Sequence, residues 1–198
     1  MKMDEFSILR ELECEEHVLK KGIKLRKLKE SDKEDMYEYM SHEENFLYLN
    51  RDAHTQIQQT CEFIYKRLKN QEVLVDLLWG IELIEENKLI GVVRLYHIDF
   101  HNKQAEISYI INQRYSGKGY ATTAVQYVLK LCFEKLEIDR VIAFYIDENK
   151  KSISLLKRCG AVEDMEWNEG IKIKNKIYKM HRCFIVNKNI LEIRSLIK

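Results

Sequence analysis

The chain of 198 residues is long enough to form one domain with a substantial hydrophobic core. It carries 33 lysine and arginine residues against 32 aspartate and glutamate residues, and this net charge of +1 gives no electrostatic reason to expect nucleic acid as a partner. No apolar run approaches the roughly 18–20 residues that a membrane-spanning helix needs, so no membrane partner is expected either.

Cysteine usage and the first residues indicate the compartment. Five cysteines are widely scattered and no two form a Cys-x-x-Cys pair, which favours free thiols in a reducing environment. The segment from Met1 to Glu5 has mixed charge and no apolar core, unlike an export signal. The sequence therefore predicts a cytoplasmic protein.

The N-terminal third of the chain is predicted to be mainly helical. Residues 1–21 form an extension whose apolar spacing fits either a short helix or an added strand. A half-buried first strand is predicted at 23–28, where apolar and basic residues alternate. Ser31 and Asp32 then offer an N-cap for one helix, and a second amphipathic helix is predicted over about 55–70.

The middle of the chain is predicted to be rich in sheet. Strands are expected at 79–84, 88–97 and 103–111, and their short polar connections imply an antiparallel meander. A helix is predicted from Gly119 to about 137. The nearly continuous apolar run 141–146 is typical of a buried central strand, parallel to the last strand of the meander across this helical crossover.

The last predicted elements are a helix at 150–158, ended by Gly160, and a hairpin of strands near 162–167 and 176–186. A tail at 187–198 has apolar residues that suit a docking helix. The fold class is therefore mixed α/β, with one domain at 22–186 and a mostly antiparallel central sheet flanked by helices.

A glycine-rich segment follows the third strand of the meander. Gly117 and Gly119 stand one residue apart at a strand-to-helix junction, where glycine lets the backbone turn tightly and leaves its N–H groups bare. Those groups and the positive end of the helix suit an anion such as a diphosphate. A plain glycine turn is the alternative. The spacing differs from that of a Rossmann dinucleotide site and from that of a P-loop.

The motif Arg-x-x-Gly-x-Gly at Arg114–Gly119 resembles the acyl-CoA pyrophosphate loop of the Gcn5-related N-acetyltransferases. The order of predicted elements is also that of this family, and the similarity covers about 25–186. It is densest at Leu89–Val93, Ala105–Tyr109 and Asn149–Ser152. Within the family the chain most resembles the branch of ribosomal-protein N-terminal acetyltransferases and some antibiotic and polyamine acetyltransferases.

The resemblance implies a sheet that is splayed between two parallel strands. It also implies that the protein binds acetyl-CoA as co-substrate and needs no metal. Backbone N–H groups of the loop would hold the diphosphate, Arg114 and Lys118 would add charge, and a backbone N–H near Ile110 or Ile111 would stabilise the oxyanion. The predicted cofactor-binding residues are Ile110, Ile111, Arg114, Tyr115, Gly117, Lys118, Gly119, Tyr120, Ala121, Thr122, Asn149 and Ser152.

Two residues are predicted to be catalytic. Glu106 shares a strand face with Ser108 and Ile110, and a carboxylate partly desolvated beside the cleft would have a raised pKa and could deprotonate an ammonium. Ser152 could donate a proton or a hydrogen bond to the leaving thiolate, with Asn149 on the pantetheine amides. The alternatives are a solvent-facing glutamate and a simple helix cap.

The chain departs from the branch pattern at two positions. Thr123 stands where the branch often has a glutamate, which weakens an assignment to the closest subfamily. Leu156 stands where many relatives have a tyrosine that acts as the leaving-group acid, so this acid must come from Ser152 or from a nearby tyrosine.

Other residues give weaker signals. His97 and His101 flank a strand end and a turn, which is poor geometry for a metal site. Four aromatic residues could either wall an acceptor pocket or belong to the core: Phe46, Tyr48, Trp79 and Tyr96.

The expected activity is acetyl transfer from acetyl-CoA to a primary amine by direct attack in a ternary complex. A peptide N-terminus is the leading acceptor and a small amine, such as a polyamine or aminoglycoside, is the next. A non-catalytic acyl-CoA sensor is the alternative. The protein is expected to be a monomer or a homodimer.

Overall fold

A computed structural model describes residues 5–70 and 76–187 of the chain. Its α-helices carry apolar residues on one side, and these sides cover both faces of a sheet. The predicted tail at 187–198 lies, from residue 188 onward, outside the described residues. The helices are α1 (Glu5–Cys14), α2 (Lys33–Met40), α3 (Ile57–Asn70), α4 (Tyr120–Glu134) and α5 (Lys150–Arg158).

Eight described strands form one sheet in the order β1-β2-β3-β4-β5-β6-β8-β7. The predicted meander is confirmed, because β3, β4 and β5 pair antiparallel, and β7 and β8 form the predicted hairpin. The strands are β1 (His17–Leu19), β2 (Ile23–Lys27), β3 (Asp76–Leu83), β4 (Lys88–Asp99), β5 (Gln104–Ile111), β6 (Arg140–Ile146), β7 (Val162–Ile173) and β8 (Lys176–Val186).

The parallel pair β5–β6 is short. Its ladder joins Gln104 to Arg140, Ala105 to Val141 and Glu106 to Ile142, and goes no further. Both strands nevertheless continue, β5 to Ile111 and β6 to Ile146. They therefore diverge beyond Glu106, which confirms the predicted mixed sheet that is splayed between two parallel strands.

The sheet separates two hydrophobic clusters. Residues of β5 that alternate with Glu106, such as Ala105 and Ile107, join the larger cluster beneath α1, α4 and α5. The smaller cluster lies on the opposite face beneath α2 and α3, and Ile110 packs against it. The two faces of β5 thus meet different sets of helices, as the period-two alternation of a strand requires.

The N-terminal extension contains both of the elements that its sequence left open. Helix α1 packs on the larger cluster through Leu9 and Leu12, and the Leu12 carbonyl accepts a hydrogen bond of 3.2 Å from the indole of Trp79. Strand β1 pairs antiparallel with β2 at the edge of the sheet. A tight turn, Lys20–Gly22, connects β1 to β2.

Several predicted boundaries were wrong by a few residues. Strand β3 begins at Asp76 rather than 79, and β7 extends to Ile173 rather than 167. Helix α4 ends at Glu134 rather than 137, and Glu137 adopts a left-handed conformation with φ of 52°. Strand β7 is longer than predicted because its outer half pairs with β8. This half carries few buried side chains, so its apolar pattern does not indicate a strand.

Candidate active site

The gap between the diverging strands β5 and β6 has polar segments on both sides of its open end. Loop 112–119 follows β5 and leads into α4, while Asp147–Asn149 follows β6 and leads into α5. Both helices therefore begin beside the open end of the parallel pair. This is the part of an α/β sheet where two helix N-termini can face one ligand.

The first half of the glycine loop is closed on itself. The Asn112 side chain accepts a hydrogen bond of 3.1 Å from the Arg114 amide. The amides of Tyr115 and Ser116 donate to the carbonyls of Asn112 and Gln113 at 2.9 and 3.0 Å. The amides of Arg114, Tyr115 and Ser116 therefore already have acceptors within the loop. Of the amides predicted to bind a diphosphate, those from Gly117 onward have no such acceptor in the loop.

The second half of the loop has the features of an anion site. Gly117 and Gly119 have φ angles of 82° and 86°, a region that disfavours residues with a Cβ atom. The first hydrogen bond of α4 runs from the Thr123 amide to the Gly119 carbonyl at 3.0 Å. The preceding amides, Tyr120 to Thr122, consequently have no intrahelical acceptor and present the positive end of α4.

Two predicted cofactor-binding residues have protein partners. Arg114 Nη1 lies 3.2 Å from Oε1 of Glu38 in α2. The Tyr115 hydroxyl donates a hydrogen bond to Glu86, which raises the pKa of Tyr115 to about 12. These contacts join the loop to α2 and to the β3–β4 turn.

A cavity of about 340 Å³ opens next to the glycines and is markedly basic. Lys21 reaches it from the turn before β2, and its Cε lies 3.1 Å from the position that a Cβ atom would occupy on Gly119. No acidic side chain of the described residues lines it. The lining residues are Lys21, Gly117, Lys118, Gly119, Thr122, Thr123, Gln126 and Arg158.

Sequence reasoning did not assign four of these residues to the site: Lys21, Thr123, Gln126 and Arg158. Lys21 belongs to the extension, far in sequence from the loop, and no local motif connects them. Gln126 is one turn beyond the predicted loop on α4, so helical periodicity could have indicated it. Arg158 stands in the last turn of α5, and its carbonyl accepts a hydrogen bond of 3.4 Å from Gln126.

The start of α5 contains the second polar group. The Asn149 side chain accepts a hydrogen bond of 3.1 Å from the Ser152 amide, which confirms it as the helix N-cap. The Ser152 hydroxyl lies 3.0 Å from the Tyr109 hydroxyl on β5. Burial raises the pKa of Tyr109, so this phenol keeps its proton at neutral pH. Leu156 is buried in the core and provides no acid.

Glu106 lies on the opposite face of β5. It occupies the last rung of the parallel ladder, and its side chain is 22% exposed. Its Oε1 is 3.0 Å from Nδ1 of His97. Burial, the charge of Glu106 and a hydrogen bond to it raise the pKa of Tyr96 to about 12. The two predicted catalytic residues thus border the gap from different faces.

The aromatic candidates divide between the core and the surface of the gap. Phe46 and Trp79 are at most 1% exposed, so of the two alternatives they belong to the core. Tyr96 contacts Glu106, as described above. Tyr48 donates a hydrogen bond of 3.3 Å to the Glu148 carbonyl, beside α5.

The described residues hold neither a metal-ligand cluster nor a membrane-spanning helix. Residues 5–70 and 76–187 contain no group of three or more His, Cys, Asp or Glu side chains arranged to hold a metal ion. Among the same residues, no helix is both long and apolar enough to span a membrane.

A splayed parallel pair with a glycine-rich turn at its open end is the arrangement expected of an acyl-CoA-dependent acyltransferase. The family model described as the acetyltransferase (GNAT) domain matches residues 23–162, and the chain belongs to this family. The resemblance found in the sequence motifs is thereby confirmed.

Relatives and solved structures agree with this assignment. YdaF of Bacillus subtilis, provisionally named a ribosomal N-acetyltransferase, is 33% identical over 96 residues, or 48% of this chain and 52% of YdaF. Spermidine N(1)-acetyltransferase of Vibrio cholerae is 29% identical over 106 residues, or 54% and 61% of the two chains. The matches thus span little more than half of these relatives.

The fold is shared over almost the whole length of a solved structure. The crystal structure of spermidine N-acetyltransferase from Vibrio cholerae in complex with CoA and spermine superposes with a TM-score of 0.72. The superposition covers 86% of this chain and 98% of that one, at 23% sequence identity.

Proposed function

We propose that the protein transfers an acetyl group from acetyl-CoA to an amine by direct attack in a ternary complex. The observation that carries this proposal is the basic glycine cavity at the open end of the β5–β6 gap. Amides of Gly117 to Thr122 would bind the diphosphate, and Lys21, Lys118 and Arg158 would add charge-assisted contacts to the phosphates. The acyl arm would then enter the gap along Ile110 and Ile111.

The residues on the two faces of the gap supply the proton transfers. The amine approaches on the Glu106 face, loses a proton to this carboxylate directly or through water, and attacks the thioester carbonyl carbon. A backbone N–H near Ile110 or Ile111 stabilises the oxyanion. The carbon–sulfur bond then breaks, and the thiolate receives a proton from the Ser152 hydroxyl, which regains one from Tyr109 across the 3.0 Å contact. The second proton of the attacking nitrogen passes through water to Tyr109, so that both hydroxyls end the step protonated.

The test is release of free thiol from acetyl-CoA with a panel of peptides and small amines. Acceptor-stimulated release is the expected result. Binding of acetyl-CoA without stimulated release by any amine would support a non-catalytic acyl-CoA sensor instead. In parallel, Gly119→Trp places a large side chain on a left-handed residue against Lys21, and is expected to abolish acetyl-CoA binding by calorimetry. Unchanged affinity would contradict the assignment of the loop.

A further inference from the structure

Three arginines from three different elements gather on the sheet face that carries Glu106. Arg67 on α3 and Arg94 on β4 share one carboxylate, that of Asp76: Arg67 Nη1 lies 2.8 Å from Oδ2, and Arg94 Nε lies 2.7 Å from Oδ1. Arg51, in the segment between α2 and α3, completes the arginine cluster. Three positive charges against one negative charge leave an excess of two.

Arg51 has no acidic partner among the described residues. Its guanidinium carbon lies 5.2 Å from the ring centroid of Phe46 and 5.7 Å from that of Phe63. Arg67 lies over the same Phe63 ring at 5.2 Å, so both guanidinium groups border one aromatic side chain. An arginine held on aromatic faces beside two other arginines is well placed to bind an anion, because its planar donors remain available.

The arginine cluster is adjacent to the proposed general base. Strand register pairs Arg94 with Ser108 and Tyr96 with Glu106, so all four side chains share one sheet face. The guanidinium of Arg94 lies 4.4 Å from the Tyr96 ring centroid, and Tyr96 contacts Glu106. One aromatic side chain therefore separates the arginine cluster from the carboxylate that would receive the proton of the amine.

Two acidic residues of the segment around Arg51 already have a cationic partner. Glu43 and Asp52, which lie on either side of Phe46 in sequence, both pair with Lys174 of the β7–β8 turn, the second at 3.9 Å. They do not neutralise the arginine cluster. A polycationic acceptor would meet an excess of positive charge on the side where its second amine would extend.

We propose that the acceptor carries a carboxylate or phosphate group which binds Arg51 and its two neighbours while the acceptor amine faces Glu106. This inference rests on the proposed acetyl transfer and specifies the acceptor class for the same site. It predicts that peptide-like or phosphate-bearing amines are preferred over polyamines.

The first test compares acceptors that differ in one anionic group. Phosphoethanolamine is compared with ethanolamine, and a dipeptide is compared with the same dipeptide amidated at its C-terminus. Spermidine serves as the polycationic acceptor. In Arg51→Gln, the KM of the preferred anionic acceptor is expected to rise about tenfold to a hundredfold, the range of one charge-assisted contact. The KM of the two acceptors that lack the anionic group, and the affinity for acetyl-CoA, should stay unchanged. Lys66→Gln, at an exposed site on α3, is the matched control.

The outcomes separate this inference from the proposed function. Two results would overturn the proposal of an anionic acceptor while leaving acetyl transfer intact. One is a preference for spermidine, and the other is an equal rise in KM in Arg51→Gln for acceptors with and without the anionic group. If no amine stimulates thiol release, acetyl transfer fails, and calorimetry of phosphoethanolamine and of the dipeptide on the CoA-loaded protein decides the binding question. Binding that is lost in Arg51→Gln supports an anion site, and absence of binding by either compound overturns it.

Discussion

The hydroxyl groups of Tyr109 and Ser152 lie 3.0 Å apart and join the end of β5 to the first turn of α5. The contact crosses the gap on the face opposite Glu106. In the proposed mechanism, this strand tyrosine takes the place of the helix tyrosine that many relatives have where this chain has Leu156. The pair would then form a short proton path that both elements hold in place.

Tyr109→Phe is expected to lower kcat about 100-fold, the scale of a lost proton-transfer group, with little change in acetyl-CoA affinity. If Tyr109 and Ser152 act as one unit, the double variant Tyr109→Phe with Ser152→Ala should be no slower than the worse single variant. Steady-state kinetics of the three variants measures this. Multiplicative losses would show that the hydroxyls act independently.

Glu106→Gln is expected to lower kcat several-fold or more, and most at low pH, where more of the amine is protonated and must lose a proton before attack. Acetyl-CoA affinity should be retained, because Glu106 lies on the face away from the glycine cavity. Glu166→Gln, at an exposed position on β7, is the matched control. A rate that is unchanged across pH would rule out Glu106 as the base.

Lys21→Met is expected to weaken acetyl-CoA binding about three- to tenfold, since one solvent-accessible cationic contact to a phosphate is lost. The loss should shrink at high ionic strength. Lys20→Met changes an exposed neighbour that does not line the cavity and should have no effect. Calorimetry with acetyl-CoA and with phosphate-free acetyl-pantetheine tests whether the lost affinity comes from a phosphate contact. If Lys21→Met weakens the binding of both ligands equally, Lys21 does not contact phosphate.

Arg26→Met is expected to destabilise the fold by about 3–5 kcal/mol, because it leaves the buried carboxylate of Asp32 without its cationic partner and that of Glu82 with Lys24 alone. Arg26 donates to both oxygens of Asp32 at 2.7 and 2.8 Å and to Glu82. Lys33→Met removes an exposed cation whose partner, Glu34, is also exposed, and should change stability little. Urea unfolding at neutral pH gives both values.

The same network predicts a pH dependence of stability. Burial alone would raise the pKa of Glu82, but the hydrogen bonds and charges of Arg26 and Lys24 outweigh it and hold this pKa below 4.5. A depressed folded-state pKa stabilises the native state above the unfolded pKa, and that stability is lost as pH falls through the folded value. The melting temperature should therefore fall below about pH 4.5. In Arg26→Met this dependence should weaken or reverse, and a profile identical to the wild type would contradict the role of Glu82.

Much of the fold and part of the site were predictable from local pattern. Alternation and apolar runs predicted the meander, the central strand and the crossover helix, because each depends on which residues a short segment can bury. The glycine motif predicted the φ-positive turn at Gly117 and Gly119. Contacts between distant segments were not predictable, since Lys21 and the Tyr109–Ser152 pair meet only after the sheet has formed. Arg114 and Tyr115 were predicted from a motif that does not show their partners, Glu38 and Glu86.

The three-rung ladder between β5 and β6 also determines what a ligand does to the sheet. Beyond Glu106, the amides of β5 that point away from β4 face a gap rather than a neighbouring strand. An acyl arm with its own amide groups, lying in that gap, would serve as a short surrogate strand. Slower hydrogen exchange at residues 107–111 on binding of acetyl-CoA, with no change in β3, would show that the co-substrate pairs with the free edge of β5 as well as reacting beside it.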